Sequence, residues 1–410
     1  MSTTSLSNST TTEPRFAVAP SVTSTLLPIM TVVFIGFVII GMALPVLPLH
    51  VHQDLGLSTF VVGLVTGSQF VAALVSRVWS GHYADSRGAK RAVIVGLLAA
   101  VVGGLFYLLS LCCPEMPRVS AGILLLGRAL LGAAESFIIT GGVSWGFALA
   151  GPANAGKVIA WVGMAMFAAL ATGAPVGTAL YRVGGFAAIA MATTLIPLAT
   201  ILLVAPLAPV ASSGGTRSHL FKVAHAVWMP GLGSALSSIG FGTMIAFSSL
   251  LSAQRSWTPV WLLFSAFAAS LVVARFFLGH LPDKHGGARV ALVSVFIEAS
   301  GLGLIWLAPS QYPAVLGALL TGLGFALVYP GLGVEAVRHA PPQNRGVAMG
   351  AYTAFLDVAL GFGSPALGLI AGWAGLRLVF LAGALLVLSA AIIALRLLTH
   401  GAATSNHLNE

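Results

Sequence analysis

Apolar residues fall in twelve long runs, near 22–47, 57–83, 88–113, 118–146, 156–181, 184–208, 223–252, 257–280, 288–308, 311–338, 344–371 and 376–398. Roughly 20 apolar residues in a helix cross a hydrocarbon core of about 30 Å, so each run is long enough to span a bilayer. The breaks between runs are short and rich in Pro, Gly or charge. One break is different: residues 206–222, PLAPVASSGGTRSHLFK, read as a linker between two sets of six helices. The pattern predicts an all-α integral membrane protein. Its expected parts are a disordered Ser/Thr-rich tail (1–20), a six-helix bundle (21–208), a linker (209–222), a second bundle (223–399) and a tail (400–410).

Composition removes the soluble alternatives. Of 410 residues, 58% are hydrophobic and 7% charged, whereas a soluble domain carries about 25% charged residues to cover its surface. The net charge of +9 would suggest a nucleic-acid partner in a soluble chain. Here the basic residues alternate between loops instead. Arg15, Arg77, Arg87, Lys90, Arg91, Lys157, Arg217, Lys222, Arg275, Lys284, Arg289, Arg338, Arg345 and Arg396 fall on one side, and Arg118, Arg182, Arg255 and Arg377 on the other. The basic side is expected to be cytoplasmic, which puts both termini in the cytoplasm. Among the 48 glycines, the pairs Gly63/Gly67, Gly142/Gly146 and Gly346/Gly350 read as helix-packing faces. Cys112 and Cys113, adjacent in sequence, read as packing residues rather than a disulfide.

Two motifs occur twice. Arg77, Gly81, His82, Asp85 and Gly88 match Arg275, Gly279, His280, Asp283 and Gly286, each displaced by 198 positions. Asn154, Gly156, Gly173 and Pro175 match Asn344, Gly346, Gly363 and Pro365, displaced by 190. Agreement in corresponding helices makes duplication of a six-helix unit the simplest origin.

The segment Gly81-x3-Asp85-x2-Gly88-x-Lys90-Arg91 resembles the loop 2–3 signature of the major facilitator superfamily, with a looser copy at Asp283. Leu124-x3-Arg128-x3-Gly132 resembles that superfamily's helix 4 motif, and Gly173-Ala-Pro175-Val-Gly177 the Gly-Pro motif that its antiporters carry in helix 5. Ala174 and Ser86 depart from the usual pattern. The resemblance covers residues 22–398 and is greatest to drug or sugar efflux branches and to bacterial members without an assigned substrate. It implies two pseudo-symmetric bundles, a bacterial inner-membrane location, monomeric function and proton-coupled export of a small organic solute. Gly81, Asp85, Arg87, Gly88, Lys90 and Arg91, with Gly279, Asp283 and Gly286, would form a cytoplasmic gate. Asp85 would sit against the N-terminal end of helix 11, near Gln343 and Asn344, and Asp283 against helix 5, near Asn154. Neighbouring basic residues would pair with acids such as Glu335. Gly173, Pro175, Gly177 and Pro365 would allow helices 5 and 11 to bend.

Ionisable residues inside apolar spans are costly and point to function. Arg128 and Glu135 lie seven apart on one face of helix 4; Glu298 is central in helix 9 and Asp357 in helix 11. The duplication pairs Glu298 with Ala100 and Asp357 with Phe167, so the shared scaffold requires neither acid. Glu135 is the first candidate for proton or substrate coupling, Asp357 the second, with Arg128 tuning both; Glu298 is placed away from the centre by the resemblance. Gln69, Phe137, Trp145, Trp161, Tyr329 and Tyr352 could line a cavity for an amphiphilic solute.

Other classes of function are less well supported by the residues. Gly142-Val-Ser144-Trp-Gly146 fits the G-x-S-x-G pattern of a hydrolase, but that pattern needs a sharp turn and a basic partner. His50 and His52 lack further metal ligands nearby. No phosphate-binding Gly-Lys-Ser/Thr loop or H-E-x-x-H pattern occurs. No cofactor and no metal are expected. Uptake by symport, or facilitated diffusion, is the main rival to export.

Overall fold

The computed structural model describes residues 22–151, 154–210, 220–338 and 345–406, nearly all of them helical. The first helices are α1 (Val22–Leu49), α2 (Thr59–Arg87), α3 (Ala89–Ser110) and α4 (Pro117–Ala150). Ala155–Val204 is helical throughout except at Gly184 and Gly185. Gly185 has φ 60°, which side chains rarely tolerate, and the chain reverses there. Two spans result, α5 (155–183) and α6 (186–204). The second half contains α7 (Leu220–Gln254), α8 (Leu262–Leu278), α9 (Gly287–Leu307), α10 (Gln311–Arg338), α11 (Arg345–Ala374) and α12 (Leu376–Asn406).

Eleven helical stretches correspond to the twelve runs once the break at Gly184–Gly185 is counted. Ten are long and apolar enough to cross a bilayer, and α8 is a shorter apolar helix. Large apolar side chains face outward around the perimeter, Val78, Phe276, Phe362 and Leu385 among them, as expected of a surface solvated by lipid. Most of the linker predicted at 209–222, the tail at 1–20 and Gln343 and Asn344 lie outside the described residues. The helix of the last span runs on to Asn406, beyond the boundary expected at 399.

The connection between α2 and α3 is shorter than the sequence suggests. The motif from Gly81 to Arg87 is helical, and Gly88 alone separates the two helices. Its φ of +93° and the φ of +88° at Gly286 explain why both copies of the motif keep glycine there. The copies differ one turn earlier. Pro282 stands where α2 has Ala84, and α8 ends before it, leaving a one-turn helix, Leu281–His285. Proline has no N–H to continue the ladder.

Within the first half α1 packs on α5, α2 on α4, and α3 on α4 and α6; α9 packs on α10 and α12, and α7 on α11 and α12. The halves meet through α2 with α11, α5 with α8, and α1 with α7. The α2–α11 contact is backbone on backbone. A Cβ at Gly63 would lie 2.3 Å from the Ser364 carbonyl oxygen, and one at Gly67 would lie 2.4 Å from that of Gly361. Thr59 Oγ1 donates to the Gly368 carbonyl at 2.8 Å. On α5 and α8, Ser265 Oγ donates to the Ala171 carbonyl at 3.2 Å. These contacts close the end opposite the basic loops. Gly142 and Gly146 also pack closely, against Val33 and Val158, but Gly350 faces open space and is not a packing position.

Candidate functional site

Helices α2, α4 and α11 bring four polar side chains together midway between the halves. The close approach of α2 and α4 is set by Gly132, where a Cβ would lie 1.9 Å from the Gln69 carbonyl oxygen. Ser136 Oγ then donates to the Ala73 carbonyl at 2.8 Å. In that register Gln69 Nε2 donates to Glu135 Oε2 at 2.6 Å. About two helical turns further along α2, Arg77 reaches across to α11. Its Nε and Nη2 both donate to Asp357 Oδ2, at 3.0 and 2.6 Å. Asp357 is 1% exposed, so its charge depends on this partner. Glu135 lies within electrostatic reach of both Arg77 and Asp357.

Of the residues singled out by sequence, Glu135 and Asp357 are therefore in one cluster, linked through Arg77. Arg128 is fully buried beside the Tyr107 hydroxyl of α3, and it forms no ion pair among the described residues. It acts on Glu135 through space, not by contact. Glu298 sits apart, inside the second half, where Ser237 Oγ donates to its Oε2 at 2.6 Å.

Aromatic groups extend from this cluster. Tyr329 and Tyr352 have ring centroids 5.1 Å apart, with the Tyr352 hydroxyl donating to the Tyr329 carbonyl at 2.6 Å. Tyr329 also shares a hydrogen bond of 2.9 Å with Thr353. Trp145, by contrast, is buried in the first half, and Phe137 packs on Tyr83 near the basic end.

At the basic end Gln343 and Asn344, the partners expected for Asp85, lie outside the described residues. Neither Asp85 nor Asp283 takes part in a hydrogen bond or ion pair among the described residues, and Gly81 has open space around it. Lys90 instead donates to the Ala205 and Leu207 carbonyls, both at 2.7 Å, which anchors α3 to the end of α6. Glu335 accepts from the Ala288 amide at 3.1 Å and lies 3.4 Å from Arg338, so it caps α9 where the sequence suggested a partner for the gate. Arg87, Arg91 and Arg289 are exposed. Asn154 bonds back to the Ala150 carbonyl at 2.8 Å.

The Gly-Pro motif serves close packing. Cβ atoms at Gly173 and Gly177 would lie 2.7 Å from the Val38 and 2.1 Å from the Met42 carbonyl oxygens of α1. The backbone stays helical through Pro175, and Pro365 sits against Gly63 and Gly67. Ser144 lies inside the unbroken helix α4, without the turn that a nucleophile of its motif requires. At the closed end His50, singled out in the sequence beside His52, joins a further cluster whose other members do not stand out in the sequence. There a π-helical turn, His50–Asp54, follows α1; His50 Nδ1 is 2.8 Å from Asp54, the Tyr181 hydroxyl donates to the same carboxylate, and the imidazole stacks on Phe186.

The family model described as Major Facilitator Superfamily matches residues 29–263 and 232–409. An uncharacterized MFS-type transporter of Salmonella typhimurium is 41% identical over 381 residues, covering 93% of this chain and 98% of its own. The uncharacterized MFS-type transporter YhhS of Escherichia coli is 38% identical over 364 residues, covering 89% and 90%. Among solved structures, a D-xylose-proton symporter superposes with a TM-score of 0.74 at 14% identity, covering 91% of this chain and 96% of that one.

Proposed function

The chain belongs to the major facilitator superfamily of multi-pass membrane transporters, and on that premise we propose that it couples proton movement to export of a small organic solute by alternating access. The observation that carries this reading is the position of Glu135, Arg77 and Asp357. A carboxyl pair bridged by one arginine across the two halves must change partners when the halves rock. Arg77 can turn from Asp357 toward Glu135, and each exchange alters which carboxyl holds a proton. The solute and the proton then compete for the same charged network, as antiport requires.

The closed end defines the state. If the basic loops are cytoplasmic, the described conformation faces the cytoplasm, with Gly63, Gly67 and Gly368 sealing the outer side. In the opposite state Asp85 would dock at the start of α11 and Asp283 at the start of α5, each complementing a helix N-terminus by about 0.3–1 kcal/mol. Export over uptake is favoured by Gly173-Ala-Pro175-Val-Gly177, which resembles the helix 5 motif of antiporters in this superfamily.

The test is purified protein in proteoliposomes with an internal pH dye, challenged with a panel of small organic solutes. Antiport predicts solute entry coupled to proton movement the opposite way. Movement of both in one direction would assign uptake by symport, and solute exchange with no proton signal would remove the coupling claim.

A further inference from the structure

The two pseudo-symmetric contacts between the halves are not chemically equivalent. Arg77 on α2 and Arg275 on α8 correspond in the duplication, and so do Asp357 on α11 and Phe167 on α5. The structure places both pairs in matching positions. Arg77 bonds to Asp357, and the Arg275 guanidinium carbon lies 5.1 Å from the centre of the Phe167 ring. One contact is an ion pair; in the other the acid has become an aromatic ring. Arg275 Nε is buried without a hydrogen-bond partner, and no carboxylate lies within ion-pair distance of Arg275 among the described residues.

We propose that Arg275 is the anion-binding residue of the transport site, and that the solute is an organic carboxylate or similar anion with an aromatic-sized apolar body. The proposal deepens the transport reading and rests on it. A cation–π contact supplies about 0.5–2 kcal/mol, far less than a paired carboxylate supplies to a desolvated guanidinium. The position therefore favours an incoming anion. Gly163 beside it presents no side chain, and the guanidinium Nη1, at 3.9 Å, is the nearest neighbour to where its Cβ would stand, so the space on that side of Arg275 is lightly filled. Arg128 also lacks a carboxylate partner among the described residues, but it is completely buried against Tyr107 of α3 and no solute can reach it.

The apolar part of the site follows from the rings. Phe167 is 6.4 Å from Phe241, Phe241 is 5.2 Å from Phe325, and Phe325 is 6.4 Å from Tyr329, all measured between ring centroids. This file draws on α5, α7 and α10, so it spans both halves, and it ends at the hydroxyls of Tyr329 and Tyr352, which lie within electrostatic reach of Arg275. An anion on Arg275 with its ring along this file would contact both halves at once. It would also place a negative charge near the Glu135–Arg77–Asp357 network, which ties binding of the solute to proton occupancy.

Benzoate, its neutral amide benzamide and the cation benzylamine are probes of one size and three charges. Thermal unfolding of the purified protein is followed against the concentration of each, and counterflow of each is measured in proteoliposomes. Stabilisation by benzoate, with benzamide and benzylamine weaker by about ten- to hundredfold in the concentration needed, is expected. Arg275→Gln should remove the benzoate effect. So should Phe167→Asp, which installs the missing counter-ion and keeps the fold, as the unchanged melting temperature without ligand would show. Equal response to all three probes, no response to benzoate, or a benzoate response surviving in both variants would overturn the anion site. Benzoate binding without counterflow would leave that site standing and count against transport, whereas counterflow of benzamide alone would do the reverse.

Discussion

Arg77 on α2 donates two hydrogen bonds to a single oxygen of Asp357 on α11, and this pair joins the two halves of the molecule. Asp357 is almost fully enclosed while the Arg77 side chain keeps 23% of its surface exposed. Loss of either partner leaves the other charged and poorly solvated. Removing one side of a buried pair costs about 3–5 kcal/mol, and somewhat less here because Arg77 retains contact with water. Asp357→Ala and Arg77→Ala should each lower the melting temperature and abolish solute exchange. The double variant should recover much of the stability, since neither charge is then left alone. A thermal double-mutant cycle measures this; additive losses would show that the pair is not energetically coupled.

Glu135→Gln keeps a hydrogen-bonding group opposite Gln69 but cannot carry a proton. Solute counterflow, which needs no net proton movement, should persist in this variant within about an order of magnitude. Accumulation driven by a pH gradient should fall to the level of empty liposomes. Parallel counterflow and gradient-driven measurements separate these effects. Gradient-driven transport at the wild-type rate would move the coupling role to Asp357.

The helices were legible because lipid requires long apolar runs, and twelve such runs appear plainly. The glycines at 88 and 286 were legible too, since a repeat that keeps glycine at matched positions marks a backbone demand, here a positive φ. The cluster was only half legible. Glu135 and Asp357 stand out because acids inside apolar runs are rare. Arg77 did not, because it lies near the end of the run 57–83 and reads as one more basic residue of the cytoplasmic side. The helix continues to Arg87, and a helix can leave the bilayer without ending. Which residue Arg77 meets depends on the rotation of α2 against a helix 280 positions away, and one sequence does not record that angle. The same limit hid the meeting of Arg275 with Phe167 and the His50–Asp54–Tyr181 cluster.

Gly67 tests the seal between α2 and α11. A Cβ there would meet the Gly361 carbonyl at 2.4 Å, and backbone cannot move aside as a side chain can. Gly67→Val should hold the two helices apart at the closed end, at a cost of about 1–3 kcal/mol to that conformation. The protein should fold but spend more time open on that side. Labelling of a cysteine introduced at Leu367, which is buried next to the contact, in a background with Cys112 and Cys113 replaced, should become faster, and exchange should slow. Unchanged labelling would mean that the contact does not seal the pathway.

Glu298 offers the contrast that tests the role proposed for Glu135. Both are acids in apolar helices, but Glu298 is packed inside one half, held by Ser237 of α7 and closely flanked by Gly240 and Gly324. Both helices of that contact belong to the same half, so rocking the halves leaves the bond intact. Glu298→Gln preserves the volume and an oxygen able to accept from Ser237. It should leave both counterflow and gradient-driven transport within about twofold of wild type, with stability changed by about 1 kcal/mol or less. Glu298→Ala removes the packing as well and should cost about 2–4 kcal/mol through the cavity it leaves. Thermal unfolding and the two transport assays on the same preparations distinguish these outcomes. Were Glu298→Gln to lose gradient-driven transport while keeping its melting temperature, proton coupling would have to run through the second half, and the network at Arg77 would hold the halves together without moving the proton.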